Sequence, residues 1–235
     1  MGSIYLVTGT DTGVGKTIVA AWLAKRLAAK HKVALVKAVQ TGAQPLVDGD
    51  EAQYRRLTKN PALSTYTLAA YPEPLAPLIA ARRAGATIDA RKIARECTAI
   101  AKRHEVTIVE GAGGLLVPLA KGYDFADLAR TLNAPLIIVI RPGLGTLNHT
   151  MLTVEAAERR GLAIAALFCS GLSPKPPVVE AENVRFLRER YPKLPLITLK
   201  KATKGQLAKL AMGASAYGKV PALLRNTTIK RSRLP

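Results

Sequence analysis

Residues 9–17 read Gly-Thr-Asp-Thr-Gly-Val-Gly-Lys-Thr. They follow a short apolar run, residues 4–8, and open a helical pattern over residues 17–30 with an apolar stripe of Ile18, Ala21, Trp22, Ala24, Ala28 and Ala29. A strand that turns through glycines into a helix leaves few architectures open. The glycines let the backbone wrap an anion with its N–H groups turned inward, and the helix N-terminus adds positive potential. Lys16 can then reach the outer phosphates, and the Thr17 hydroxyl is placed to ligate Mg²⁺. Five residues separate Gly9 from Gly15, one more than the strict P-loop spacing, but the Gly-Lys-Thr ending and both flanks agree with that loop. The segment predicts binding of ATP or another nucleoside triphosphate with Mg²⁺. Its expected contacts are Gly13, Val14, Gly15, Lys16, Thr17 and Ile18.

The rest of the chain alternates in the same way. Apolar runs at residues 33–39, 106–110, 135–140, 163–169 and 194–199 are largely continuous, as strands buried on both faces of a parallel sheet are. Helical patterns cover residues 89–104 and 147–160, the second ended by Gly161. Repeated strand–helix–strand units predict an α/β fold: one domain over residues 1–235 with a doubly wound, mostly parallel sheet and flanking helices, of the P-loop NTPase type. Ligands of such sheets sit beyond the carboxyl ends of the strands. The Pro-containing segment 48–86 is less regular and is expected to hold a short helix at residues 50–57, then an excursion on the substrate side.

Composition removes several function classes. With 49% hydrophobic and 22% charged residues, the chain can fill a core and is not a disordered polymer. The apolar run at 135–140 is far short of the roughly 20 residues that span a bilayer, and no charged-then-apolar leader opens the chain, so a cytoplasmic protein without membrane partners is expected. Cys97 and Cys169 have no metal or disulfide spacing and read as buried free thiols. With only three His, metal chemistry must rest on carboxylates, hydroxyls and phosphates. The net charge is +19, and residues 190–235 hold eleven Lys and Arg with no Asp or Glu. That segment carries only two aromatics, Tyr191 and Tyr217, so it reads as a solvated basic surface rather than a nucleic-acid platform.

Two further segments belong with the phosphate loop. Residues 106–114 read Val-Thr-Ile-Val-Glu-Gly-Ala-Gly-Gly. Glu110, an acid at a strand's carboxyl end, is placed to hold Mg²⁺, and Gly111, Ala112 and Gly113 would let a ligand approach the backbone. Residues 37–42, Lys-Ala-Val-Gln-Thr-Gly, end the second strand at the same sheet edge. Beside a triphosphate, Lys37 becomes a candidate clamp for charge on the transferred group. Asp48 and Asp50 follow, and either could complete a metal site.

With residues 8–17, 37–42, 71–77, 109–119 and 141–150 taken together, the first two-thirds of the chain resembles the dethiobiotin synthetase family. Gly-Thr-Asp-Thr before the loop core and Val-Glu-Gly-Ala-Gly-Gly-Leu are the most specific matches. The resemblance implies a homodimeric, ATP-dependent ligase that closes the ureido ring of dethiobiotin from 7,8-diaminononanoate and CO₂ through a phosphorylated carbamate. It further implies that Lys37 is the active lysine and that Thr12 lies near the reacting carbamate, with Lys16 and Lys37 neutralising the carbamate and γ-phosphate charges. By the same resemblance Thr41 contacts substrate, Thr17, Asp50 and Glu110 form the Mg²⁺ set, and the helix start in 143–150 receives the substrate carboxylate. Three departures stand out: Ala38 replaces a common proline, Ser170 before Gly171 stands where many members read adenine with asparagine, and residues 196–200 lack the usual Ile-Pro base contact. Base selectivity should therefore be weak. The alternatives are a partition-type nucleotide switch, which would carry a lysine where this chain has Asp11, or another P-loop ligase or amidase.

Overall fold

A computed structural model describes residues 2–44 and 47–201. In chain order the elements are β1 (Ser3–Gly9), α1 (Lys16–Leu27), β2 (Val33–Lys37), β3 (Gln40–Thr41), α2 (Asp50–Thr58), β4 (Ser64–Thr67), β5 (Ala70–Tyr71), α3 (Pro77–Arg83) and α4 (Ala90–Ala101). They continue with β6 (Val106–Gly114), β7 (Pro118–Ala120), β8 (Tyr123–Asp124), α5 (Phe125–Thr131), β9 (Leu136–Ile140), α6 (Thr146–Arg159), β10 (Ile164–Leu172), α7 (Val178–Arg190) and β11 (Leu196–Lys200). Seven strands form one sheet in the order β11-β10-β9-β1-β6-β2-β4, every neighbouring pair parallel. The pairs β3–β5 and β7–β8 stand outside it.

The sheet is covered on both faces because its strands are apolar on both. All five residues of β9 are fully buried. Leu136, Ile138 and Ile140 face one apolar cluster, shared with Ile93 of α4, Leu128 of α5, Val154 of α6 and Leu187 of α7. Ile137 and Val139 face the other, with Trp22 and Leu23 of α1 and Tyr54 of α2. Each such Leu or Ile contributes roughly 1.5–3 kcal/mol through burial, so the two-sided run commits the chain to a three-layer arrangement. β1 lies between β9 and β6, and the chain after it goes first to one side and later to the other. That reversal opens a crevice at the carboxyl ends of β1, β6 and β2.

The expected α/β class and parallel sheet agree with this fold, and several local expectations need correction. The second strand ends at Lys37 rather than at residue 39, because Gln40 leaves the sheet to pair with the Ala69–Tyr71 segment. On α1 the buried face is Val19, Ala20, Leu23 and Leu27 with Ala21, Trp22 and Ala24, while Ala29 is exposed and Ile18 turns towards the crevice. The segment 48–86 is more regular than expected. It supplies α2, the edge strand β4, β5 and α3, which starts on Pro77. Helices α5 and α7 were also not foreseen; α5 is set by a capping box in which Asp124 and Asp127 each accept the other's backbone N–H at 3.0 Å. Most of the basic segment, from residue 202 on, lies outside the described residues.

Cys97 on α4 and Cys169 on β10 are both buried free thiols. Burial pushes each thiol up to about 12, so the thiolate that would react is scarce at neutral pH. In the folded protein neither is expected to react appreciably with a disulfide reagent at pH 8, and both should react in denaturant. Rapid labelling of the native chain would contradict this. Among the described residues no helix is long and apolar enough to cross a membrane.

Candidate active site

Strand register assembles the charged centre. Glu110 on β6 lies level with Val7 of β1 on one side and Lys37 of β2 on the other. Residues level on neighbouring parallel strands are about 4.8 Å apart, so Lys37 and Glu110 are held side by side at the crevice floor. The Lys37 ammonium donates to Glu110 Oε1 at 2.9 Å and to the Gly111 carbonyl at 3.1 Å, and it also pairs with Asp50 Oδ2. Lys37 is 4% exposed and Glu110 1%, so neither charge is tolerable without the other. Burial acts to lower the Lys37 pKa and is the largest influence, but Glu110 and Asp50 together outweigh it and hold Lys37 above its ordinary 10.5.

The phosphate loop closes the crevice from the β1 side. A side chain at Gly9 would meet the Val14 methyl at 2.7 Å and the Asp11 carbonyl at 2.9 Å, so the bend admits only hydrogen there. Gly15 caps α1 in the left-handed region at φ 97°, and an added Cβ would lie 2.5 Å from Ser170 Oγ. No side chain caps the first turn of α1 and no acid lies in it, so its N–H groups and partial positive charge are left for an anion. The Lys16 ammonium folds back onto the Asp11 carbonyl at 2.9 Å. Burial lowers its pKa, Glu110 works against that, and the Lys37 charge adds to the lowering.

A place for a cation lies between these groups. The Thr17 hydroxyl is 3.0 Å from Asp50 Oδ1 and 3.0 Å from Glu110 Oε1. One hydroxyl hydrogen cannot satisfy two carboxylates, and three hard oxygens converging on one point match the donor set Mg²⁺ prefers. Asp50, not Asp48, is the acid that reaches this point. The Asp48 carboxylate instead accepts the Gln44 N–H at 2.7 Å in an exposed turn. Asp50 starts α2, where its own N–H donates to the Gln40 side-chain oxygen at 2.9 Å.

The resulting cleft has a volume of about 490 Å³. Of the sequence-derived candidates, Thr12, Gly13, Gly15, Lys16, Thr17 and Ile18 line it from the loop side. Lys37, Thr41, Asp50, Glu110, Ala112 and Gly113 line it from the opposite side. Four candidates stand elsewhere. Val14 is buried in the apolar cluster beneath the loop. Gly111 contributes its carbonyl to Lys37 while its Cα packs on the Phe125 ring. Ser170, near the end of β10, lies behind Gly15, and neither it nor the following Gly171 lines the cleft.

Sequence reasoning did not single out Gln40 or Tyr54. Tyr54 is fully buried on α2 and its hydroxyl donates to Glu110 Oε2 at 2.7 Å. Burial, with the Glu110 and Asp50 charges, pushes its phenol well above 10, so it remains a donor. Its place four residues after Asp50 put both on one helix face, which is the signal that could have found it.

Comparison with known proteins places the chain in a family. The sequence profile described as "AAA domain" matches residues 4–199. "ATP-dependent dethiobiotin synthetase BioD" of Rhodococcus erythropolis is 41% identical over 222 residues, covering 92% of this chain and 96% of that protein. The protein of the same name from Mycolicibacterium vanbaalenii is 46% identical over 187 residues, 77% of this chain and 80% of its own. The chain belongs to the dethiobiotin synthetase family. That membership makes it an enzyme of the P-loop α/β class. Among solved structures, a putative plasmid partition protein of Borrelia burgdorferi bound to AMPPNP aligns with a TM-score of 0.61 at 13% identity, covering 95% of this chain and 97% of that one. A ParA family ATPase of Chlorobium tepidum gives 0.57 at 15%, covering 94% and 92%. At these identities the likeness is one of fold, and Asp11 stands where the partition switch would need lysine.

Proposed function

We propose that the chain is an ATP- and Mg²⁺-dependent dethiobiotin synthase that closes the ureido ring from 7,8-diaminononanoate and CO₂. The observation that carries this reading is the convergence of two ammonium groups, two carboxylates and one hydroxyl at the mouth of the phosphate loop, at the carboxyl ends of β1, β6 and β2. Such a set suits the joining of two anions, a carbamate and a γ-phosphate, which repel each other unless neutralised.

In this mechanism one substrate amine adds to CO₂ and loses a proton, giving a carbamate. A carbamate oxygen attacks the γ-phosphorus, and ADP leaves. The second amine then attacks the carbamate carbon, the five-membered ring closes, and phosphate departs with that oxygen. Lys16 neutralises the transferring phosphoryl group, and Lys37, kept protonated by its carboxylate neighbours, faces the carbamate. Mg²⁺ held by Thr17, Asp50 and Glu110 would add charge neutralisation on the phosphates. Thr12 and Thr41 line the substrate side, and ring closure asks for positioning more than for a strong base. The start of α6, uncapped by any side chain, suits the substrate carboxylate. A cytoplasmic location and a homodimer are part of the proposal, the dimer supported by exposed Leu144 just before α6 and Leu152 within it.

The test is phosphate release with diamine, CO₂ and ATP, each omitted in turn. Release should need all three, and release without the diamine contradicts the reading. Base choice gives a separate expectation. Ser170 packs behind the loop and is too short to pair with an adenine edge, so rates with ATP, CTP and GTP at subsaturating concentration should differ by less than about tenfold, or about 1.4 kcal/mol. A larger preference for ATP overturns it.

A further inference from the structure

The two oxygens of the Glu110 carboxylate have different surroundings. Oε1 faces the site, 3.0 Å from the Thr17 hydroxyl and 2.9 Å from the Lys37 ammonium. Oε2 faces away and accepts the Tyr54 hydroxyl at 2.7 Å, a well-formed hydroxyl hydrogen bond. The carboxylate is 1% exposed and Tyr54 fully buried, so bulk water does not stand in for that donor.

Tyr54 is itself held firmly, because α2 is tied down at three places. The Asp50 N–H is fixed by Gln40 at 2.9 Å. The Glu51 carboxylate accepts the hydroxyls of Thr65 and Thr67 on the edge strand β4, each at 2.9 Å. The Tyr54 ring packs with the apolar cluster that contains Trp22 and Leu35. One helix thus delivers a carboxylate to the cation point at its first residue, and one turn later a hydroxyl to the back of the other carboxylate.

We propose that Tyr54 is the positioning residue that fixes the Glu110 carboxylate, so that its front oxygen meets Mg²⁺ together with Thr17 and Asp50. The inference rests on the functional reading above, which makes Glu110 a metal ligand. Without the phenol the carboxylate can rotate, and a buried oxygen is left without its donor. Partners of metal ligands are typically worth about 10- to 100-fold in metal affinity.

The test is Tyr54→Phe in the full chain, with Mn²⁺ as the probe, titrated by electron paramagnetic resonance in the presence of a non-hydrolysable ATP analogue. Affinity for Mn²⁺ is expected to fall about 10- to 100-fold. The KM for the diamine should be unchanged, and most of kcat should return at saturating Mg²⁺. Wild-type metal affinity in the variant overturns the proposal, including the case where only the melting midpoint falls, which is what simple packing would give. A crystal structure of the wild type with Mg²⁺ and the analogue tests it without any variant: the Tyr54–Glu110 bond should persist, and a hydroxyl turned to another partner overturns the role. If the wild type binds no divalent metal with nucleotide, the functional reading fails and this inference with it. If the wild type binds and the variant matches it, only the role of Tyr54 falls.

Discussion

Lys37→Ala should abolish ring closure while leaving nucleotide binding largely intact, with kcat falling by at least about 10²–10³-fold, the usual cost of removing one donor aimed at transition-state charge. The same substitution should also destabilise the ligand-free protein. Lys37 is the buried counter-charge of both Glu110 and Asp50, and removing one partner from a buried ionic cluster costs about 3–5 kcal/mol. Mg²⁺ with nucleotide supplies a replacement cation and should recover much of the lost melting temperature. Because Lys37 is held above its ordinary 10.5, its contribution is fully present at neutral pH. It is lost only as pH rises beyond 10.5 and through the raised value. A variant with full activity, or one whose melting point is untouched without ligand, contradicts this account.

Lys16→Met should have the opposite effect on the ligand-free protein. Its folded pKa lies below the ordinary value, chiefly through burial. Protonated Lys16 therefore costs stability at neutral pH, a cost that fades as pH climbs from the lowered value towards 10.5. Neutralising it should leave the melting midpoint of the free protein unchanged or raised. Nucleotide binding should suffer instead: a lost hydrogen bond to a charged group is worth about 1.5–3 kcal/mol, or roughly 10- to 150-fold in Kd. Calorimetry of ATP analogue binding and a thermal melt of the same sample give both readings. Normal affinity together with a lowered midpoint would show that Lys16 is structural rather than phosphate-facing.

The features legible in the sequence were those that one segment carries by itself. The loop of residues 9–17 needs glycines where the bend is tight, so it could be recognised from composition and flanks. The run at 135–140 could only be a strand buried on both faces. Lys37 and Glu110 could be placed at strand ends, but their mutual contact depends on the register of β2 against β6, which neither segment specifies. β4 was missed because Ser-Thr-Tyr-Thr, half-buried at a sheet edge, lacks the apolar run of a central strand. The motif offers the backbone of Val14 to the ligand, and that the loop turns its side chain into the core is not written in the motif. Tyr54 was passed over because its partner lies 56 residues away.

Transfer of oxygen tests the phosphorylated carbamate most directly. With ¹⁸O-labelled CO₂, the diamine and Mg²⁺-ATP in a brief incubation, the phosphate released should carry one labelled oxygen for each ring closed, because the carbamate oxygen leaves on phosphorus. Unlabelled phosphate, with its new oxygen drawn from water, would mean that the cleft merely hydrolyses ATP and would contradict the account.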